Sequence, residues 1–253
     1  MKHIFQNIEA SIKRGEKLLA VLIDPDKMEL DSLANSMVKL NTSRATHVFV
    51  GGSTVDDFKT DDLIKALKGL TDLPVLIFPG DVSQLSSYAD GLLFLSLVSG
   101  RNPEYLIGKQ VEAVSILRAM DLEIIPTGYV LIENGKETAV ERVTQTQPLS
   151  RNNIQHIVDT AKASELLGMS CIYLEAGSGA IEPISSTIIK AVKKELQIPL
   201  IVGGGISSKQ QLDNAYDAGA DLVVIGTAFE VDDAFFDDIK SPVSFGHFPK
   251  GEK

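Results

Sequence analysis

At 253 residues the chain has the length of one (β/α)8 barrel, about 250 residues, and can bury a large core as a single domain over 1–253. Hydrophobic residues at 44% and charged residues at 23% exclude a disordered chain. The formal net charge of -10 and the lack of a basic stripe argue against nucleic acid as a partner. A small phosphorylated ligand stays open, because local amides or a bound cation outweigh a diffuse, screened surface charge.

The lone Cys171 has no disulfide partner, as suits a reducing compartment. Residues 1–17 are polar, with no signal-peptide pattern. No uncharged apolar run approaches the ~18 residues of a membrane span. The expected location is the cytoplasm.

In chain order, short apolar runs at 18–23, 47–50, 75–78, 91–95, 122–126, 171–174, 200–202 and 222–225 read as strands. Segments with helical spacing lie between most of them, as in Ile154, Ile157, Val158 and Ala161, which Gly168 then stops. Strands apolar on both faces, alternating with helices eight times over, predict an α/β fold, a (β/α)8 barrel with its phosphate site at the ends of strands six to eight. An open doubly wound sheet is the competing architecture, disfavoured because its glycine fingerprint belongs after the first strand. The connection 127–150 is far longer than the two to six residues typical of such loops. Its Asn134-Gly135 turn between apolar stretches predicts a small hairpin, a flap over the barrel rim.

The first strand ends in Asp24-Pro-Asp-Lys27, which puts a carboxylate over the barrel mouth. There it could hold Mg²⁺ beside substrate phosphates, or Asp24 or Asp26 could cap the next helix. The second ends in Gly51-Gly-Ser-Thr54, where Ser53 or Thr54 could complete a metal site or simply close a turn. These two tips are expected across the barrel from strands seven and eight, so that two phosphorylated substrates sit on opposite sides of the rim. After strand four, Arg101 and Lys109 are isolated cations, more in keeping with solvated surface than with a diphosphate site.

Three late strands end in glycine: Tyr173-Leu-Glu-Ala-Gly-Ser-Gly179, Ile198-Pro-Leu-Ile-Val-Gly-Gly-Gly-Ile-Ser207 and Asp221-Leu-Val-Val-Ile-Gly-Thr227. Bare backbone N–H groups at such tips cradle a phosphate. Glu175 adds one carboxylate, either a general base or a rim acid paired with lysine. Tyr173 is a core aromatic or a hydroxyl that touches the ligand. His3, His47, His156 and His247 are dispersed without ligand spacing, which argues against zinc.

Taken together, Asp24-Pro-Asp-Lys27, Gly51-Gly-Ser-Thr54, Tyr173-Leu-Glu-Ala-Gly-Ser-Gly179, Gly203-Gly-Gly-Ile206 and Gly226-Thr227 resemble the geranylgeranylglyceryl phosphate synthase family over almost the whole chain. The resemblance implies a Mg²⁺-dependent prenyltransferase that joins geranylgeranyl diphosphate to the C3 hydroxyl of sn-glycerol 1-phosphate, forming an ether lipid precursor and diphosphate. By motif, Asp24 and Ser53 would ligate Mg²⁺. Tyr173, Leu174, Glu175, Ala176, Gly177, Ser178, Gly179, Gly204, Gly205, Gly226 and Thr227 would bind glycerol phosphate, with Glu175 as the base. The family pattern carries Asn where this chain has Thr227. The long 127–150 segment resembles the archaeal-type branch, implying a C20 donor. The family also implies a homo-oligomer, dimer or hexamer, and a transient membrane-surface contact for product release fits a lipid product. The competing readings are another phosphate-binding barrel enzyme, an isomerase or lyase; a heptaprenyl transferase with a longer donor; and a non-catalytic phosphometabolite-binding protein.

Overall fold

Eight parallel strands close on themselves: β1 (Leu18–Ile23), β2 (His47–Val50), β3 (Val75–Ile77), β4 (Gly91–Leu97), β5 (Glu123–Leu131), β6 (Cys171–Glu175), β7 (Leu200–Gly203) and β8 (Leu222–Ile225). The computed structural model describes residues 3–52, 55, 59–226 and 239. Closure is made by β8 against β1, with Leu18 beside Leu222 and Val21 beside Ile225. An open doubly wound sheet is thereby excluded, and the expected barrel stands.

Alternation along each strand divides the apolar residues between two cores. Inside the barrel lie Ala20, Phe49, Leu76, Leu93, Tyr129, Tyr173 and Val224 among others. Between strands and helices lie Val21, Val48, Val50, Val130, Leu174 and Val202 with the inner faces of the helices. Both faces of every strand are thus covered, which is why the strands read as unbroken apolar runs.

The helices are α1 (Ile4–Lys13), α2 (Leu30–Thr42), α3 (Lys59–Leu70), α4 (Lys109–Leu117), α5 (Ala139–Thr144), α6 (Ile154–Leu166), α7 (Ser186–Glu195) and α8 (Lys209–Asp217). Side-chain caps start several of them: Asn153 accepts from His156 N, Ser185 from Ile188 N and Ser208 from Gln211 N. Each such cap stabilises its helix by about 1 kcal/mol. Helix α1 is different, because Ile4 and Ile8 pack into the inner barrel core. Glu123 at the start of β5 holds its first turn, accepting from Ile4 N at 2.6 Å and Phe5 N at 2.9 Å. This plug closes the N-terminal mouth and leaves the C-terminal end for ligands. Among the described residues, no helix is long and apolar enough to cross a membrane.

Two expectations are corrected here. Strand five runs on to Leu131, pairing Tyr129 with Tyr173 and Leu131 with Glu175 of β6. The expected hairpin is therefore absent: Ile132 makes a parallel bridge to Leu149, and α5 fills the connection behind a Thr138/Glu141 capping box. Second, β1 and β8 are neighbours, so the tips of β1 and β2 adjoin the late glycine tips rather than facing them across the barrel. Closure brings the first and last strands together, which a linear count of strands hides.

Candidate active site

A cavity of about 530 Å³ opens at the C-terminal ends of the strands. It is lined by Glu175, Gly177, Ser178, Gly179, Gly204 and Gly205, by Asp24 and Gly52, and by apolar residues such as Phe94, Ala113, Val140 and Val143. The α5 segment thus does cover an apolar part of the rim, as a helix instead of a hairpin.

Glu175 ends β6 on the inward face, because Cys171, Tyr173 and Glu175 alternate into the barrel. It is 5% exposed, and Gly177 N donates to its Oε1 at 2.5 Å. Burial pushes its pKa from 4.5 up to about 7, against the opposing pull of the Gly177 N–H and of the Tyr173 and Tyr129 hydroxyls. Among the described residues no lysine pairs with it, and its backbone partner is the Gly177 N–H. A carboxylate poised near neutrality beside a cavity suits a general base.

Tyr173, Tyr129 and Phe78 cluster beneath Glu175: Phe78 stacks on Tyr173 with ring centroids 5.0 Å apart, meets Tyr129 edge-on at 5.8 Å, and the two tyrosines are tilted at 5.5 Å. Burial first, and then the Glu175 charge, raises both tyrosines well above 10, so both stay protonated donors. Space for the Tyr173 hydroxyl comes from Gly203, where a Cβ would sit 2.1 Å from that oxygen.

The glycine tips behave as a cradle. The backbone N–H groups of Ser178, Gly179, Gly204, Gly205 and Gly226 donate to no described residue. Gly204 has φ +85°, and a Cβ there would lie 2.5 Å from Glu175 Oε1. Only glycine lets backbone, carboxylate and ligand approach at this point. Leu174 and Ala176 belong to the run but face the helix layer, so their side chains take no part in the cavity. Thr227 lies outside the described residues.

Asp24, with its side chain 20% exposed, is at the tip of β1. It does not cap α2, which begins behind Glu29. Its Oδ1 accepts from Asp26 N at 3.1 Å, and Lys27 Nζ lies 3.4 Å from Oδ2. Gly52 keeps the carboxylate open, since a Cβ there would come within 2.9 Å of Oδ1. Among the described residues no three acidic, histidine or cysteine side chains gather into a metal site. The Asp24 carboxylate opens onto the cavity, and its hard oxygens are of the kind that Mg²⁺ takes beside substrate phosphates. Ser53 lies outside the described residues.

Lys109 lines the cavity, but ion pairs with Asp81 at 3.0 Å and Glu112 at 3.1 Å occupy it and raise its pKa. Arg101 is turned away, donating to the Val98 and Gly100 carbonyls at 3.1 and 2.7 Å. Sequence reasoning missed Tyr129, hidden in what reads as a loop, and Gln84. The latter is 2% exposed and ties the β2 tip to the next loop through Gly52 O at 2.8 Å and Gly80 N at 3.1 Å. No local motif marks Gln84. Continuing the alternation Ile125, Thr127, Tyr129 would have found the tyrosine.

Comparison with known proteins bears on this site. A model of the PcrB family matches residues 11–243. A Flavobacterium johnsoniae protein named geranylgeranylglyceryl phosphate synthase is 55% identical over 92% of this chain and 96% of its own length. One of the same name from Zunongwangia profunda is 50% identical over 91% and 98%. The crystal structure of (S)-3-O-geranylgeranylglyceryl phosphate synthase from Thermoplasma acidophilum, in complex with its substrate sn-glycerol-1-phosphate, superposes with a TM-score of 0.88. It has 32% identity and covers 94% of this chain and 96% of that one.

Proposed function

The chain belongs to the PcrB family, alongside proteins named geranylgeranylglyceryl phosphate synthase, and is a prenyltransferase; from that premise we propose that it transfers a geranylgeranyl group from geranylgeranyl diphosphate to the C3 hydroxyl of sn-glycerol 1-phosphate, with Mg²⁺ as cofactor. The observation that carries this reading is a cavity onto which the free amides, Glu175 and Asp24 all open, and which apolar side chains such as Phe94, Ala113, Val140 and Val143 also line. A phosphate, a reacting hydroxyl and a long hydrocarbon each find matching chemistry there. The Thermoplasma acidophilum relative binds the same glycerol phosphate.

In this scheme the amides of Ser178, Gly179, Gly204, Gly205 and Gly226 hold the phosphate of the acceptor and turn its C3 hydroxyl toward Glu175. Glu175 takes the hydroxyl proton as the C3 oxygen bonds to C1 of the prenyl chain. The C1–O bond breaks, and diphosphate leaves with the electron pair. No covalent intermediate with the protein is needed. Asp24, with Ser53, would hold Mg²⁺, which when bound supplies neutralisation of the charge developing on the leaving diphosphate. Holding two substrates in register contributes several kcal/mol by itself, up to about 7–11.

The direct test is to incubate the protein with labelled sn-glycerol 1-phosphate, geranylgeranyl diphosphate and Mg²⁺ and look for label in an organic-extractable product. Label that stays in the aqueous phase would overturn the reading. A steady-state series with C15, C20 and C35 donors tests the chain length, with the highest kcat/KM expected at C20. Asp24→Asn is expected to raise the Mg²⁺ concentration for half-maximal rate by about tenfold or more, because a neutral amide is a poor ligand for a hard cation. An unchanged Mg²⁺ titration would remove Asp24 from the metal site.

A further inference from the structure

We propose that Asn134 is a positioning residue for Glu175, acting through the peptide unit that joins Ala176 to Gly177. The inference rests on the reading of Glu175 as the base. Asn134, 2% exposed, stands just beyond β5, and its Nδ2 donates to the carbonyl of Ala176. The N–H at the other end of the same peptide unit, that of Gly177, donates to Glu175 Oε1 at 2.5 Å. The peptide plane is therefore gripped at both ends. A donor on its carbonyl polarises the amide and strengthens what its N–H gives to the carboxylate.

The surrounding segment fixes Asn134 in turn. Ile132 N donates to the backbone oxygen of Glu175 at 2.9 Å, so the segments that follow β5 and end β6 are tied side by side. Thr138, held in its capping box, presses on the loop where a Cβ at Gly177 would lie 2.4 Å from its methyl. The other side of the Asn134 amide supplies the argument that this is not packing alone. Its Oδ1 is buried with no partner among the described residues, and burying an unpaired carbonyl opposes folding. A leucine of nearly the same shape would avoid that penalty. What asparagine has and leucine lacks is the donor on Ala176.

The groups that act on the Glu175 carboxylate are the phenols of Tyr129 from β5 and Tyr173 from β6, together with the Gly177 N–H. Gly203 at the end of β7 and Gly204 just beyond it bring no side chain. Weakening the Gly177 bond should therefore appear directly in the titration of Glu175.

The test is Asn134→Leu in the full chain, with Asn134→Ala as the second variant. In substrate-free protein labelled at glutamate carboxyl carbons, with Glu175→Gln used for assignment, the Glu175 titration midpoint is expected to rise by about one pH unit. The acid limb of kcat/KM is expected to move by the same amount, while the melting temperature stays within about 4 °C. An unmoved midpoint in a folded variant overturns the proposal, and so does failure of both variants to fold, since the role is then structural. A moved midpoint with an unmoved acid limb leaves the grip of Asn134 standing and overturns Glu175 as the base, which separates the two failures.

Discussion

Glu175→Gln is expected to lower kcat by about 10²–10⁴-fold, the span that a positioned general base contributes, while the Kd for sn-glycerol 1-phosphate stays within about tenfold of the wild type. The amide has nearly the same shape and can still accept from Gly177 N, so the cradle keeps its form. It cannot take up a full proton. In the wild type kcat/KM should rise with pH on the acid side through about 7, where Glu175 ionises, and this limb should be missing from the residual rate of the variant. Near-normal turnover, or an unchanged acid limb, would count against the base.

The same group makes an opposite prediction for stability. Its folded-state pKa lies above the ordinary 4.5 because burial disfavours the charge, so protonation favours the fold. That contribution is fully present below about pH 4.5 and is lost as pH rises through about 7. Glu175→Gln, with no charge to bury, should therefore be more stable than the wild type at pH 8, by on the order of 3 kcal/mol, and show no advantage at pH 4. Denaturant titrations at the two pH values decide this. A residue that raises activity while lowering stability at working pH is the expected signature of a site retained for its chemistry.

Much of the barrel was legible because burial on both faces makes a parallel strand an unbroken apolar run. Strands β1, β2 and β8 begin and end where the runs at 18–23, 47–50 and 222–225 do. Strand β5 was not legible past Pro126, since the Asn134-Gly135 turn signal made the apolar stretch 128–132 read as one arm of a separate hairpin. In the closed barrel that stretch is strand nonetheless: β4 and β6 both pair with it, and a Cβ at Gly128 would meet Ile172 and Ser164 at 2.9 Å. Tertiary pairing overrides local preference there. The same misreading concealed Tyr129 and made Asn134 look like a hairpin turn. Of the site, the glycine tips and Glu175 were legible because chain order and spacing carry their signal. The long-range partners Gln84, Phe78 and Asn134 were not, because nothing local to each residue records which strand tip it meets.

Gly204→Ala is expected to abolish acceptor binding, raising the Kd for sn-glycerol 1-phosphate by at least about a hundredfold, the equivalent of losing one or two charge-assisted hydrogen bonds. The added methyl would sit 2.5 Å from Glu175 Oε1, 2.7 Å from Gly177 N and 2.8 Å from Gly177 O, at a residue with φ +85°. Either the carboxylate or the 177–179 loop must move. Both belong to the cradle, so turnover falls with affinity. Backbone strain alone is controlled by Gly15→Ala, because Gly15 has φ +78° and open space where its Cβ would lie. That variant should lose about 1 kcal/mol of stability and no activity. Calorimetric titration with sn-glycerol 1-phosphate then separates the variants: Glu175→Gln binds without turning over, Gly15→Ala does both, and Gly204→Ala does neither. Wild-type affinity in Gly204→Ala would mean that the phosphate is held elsewhere, and the late glycine tips would lose their role as its cradle.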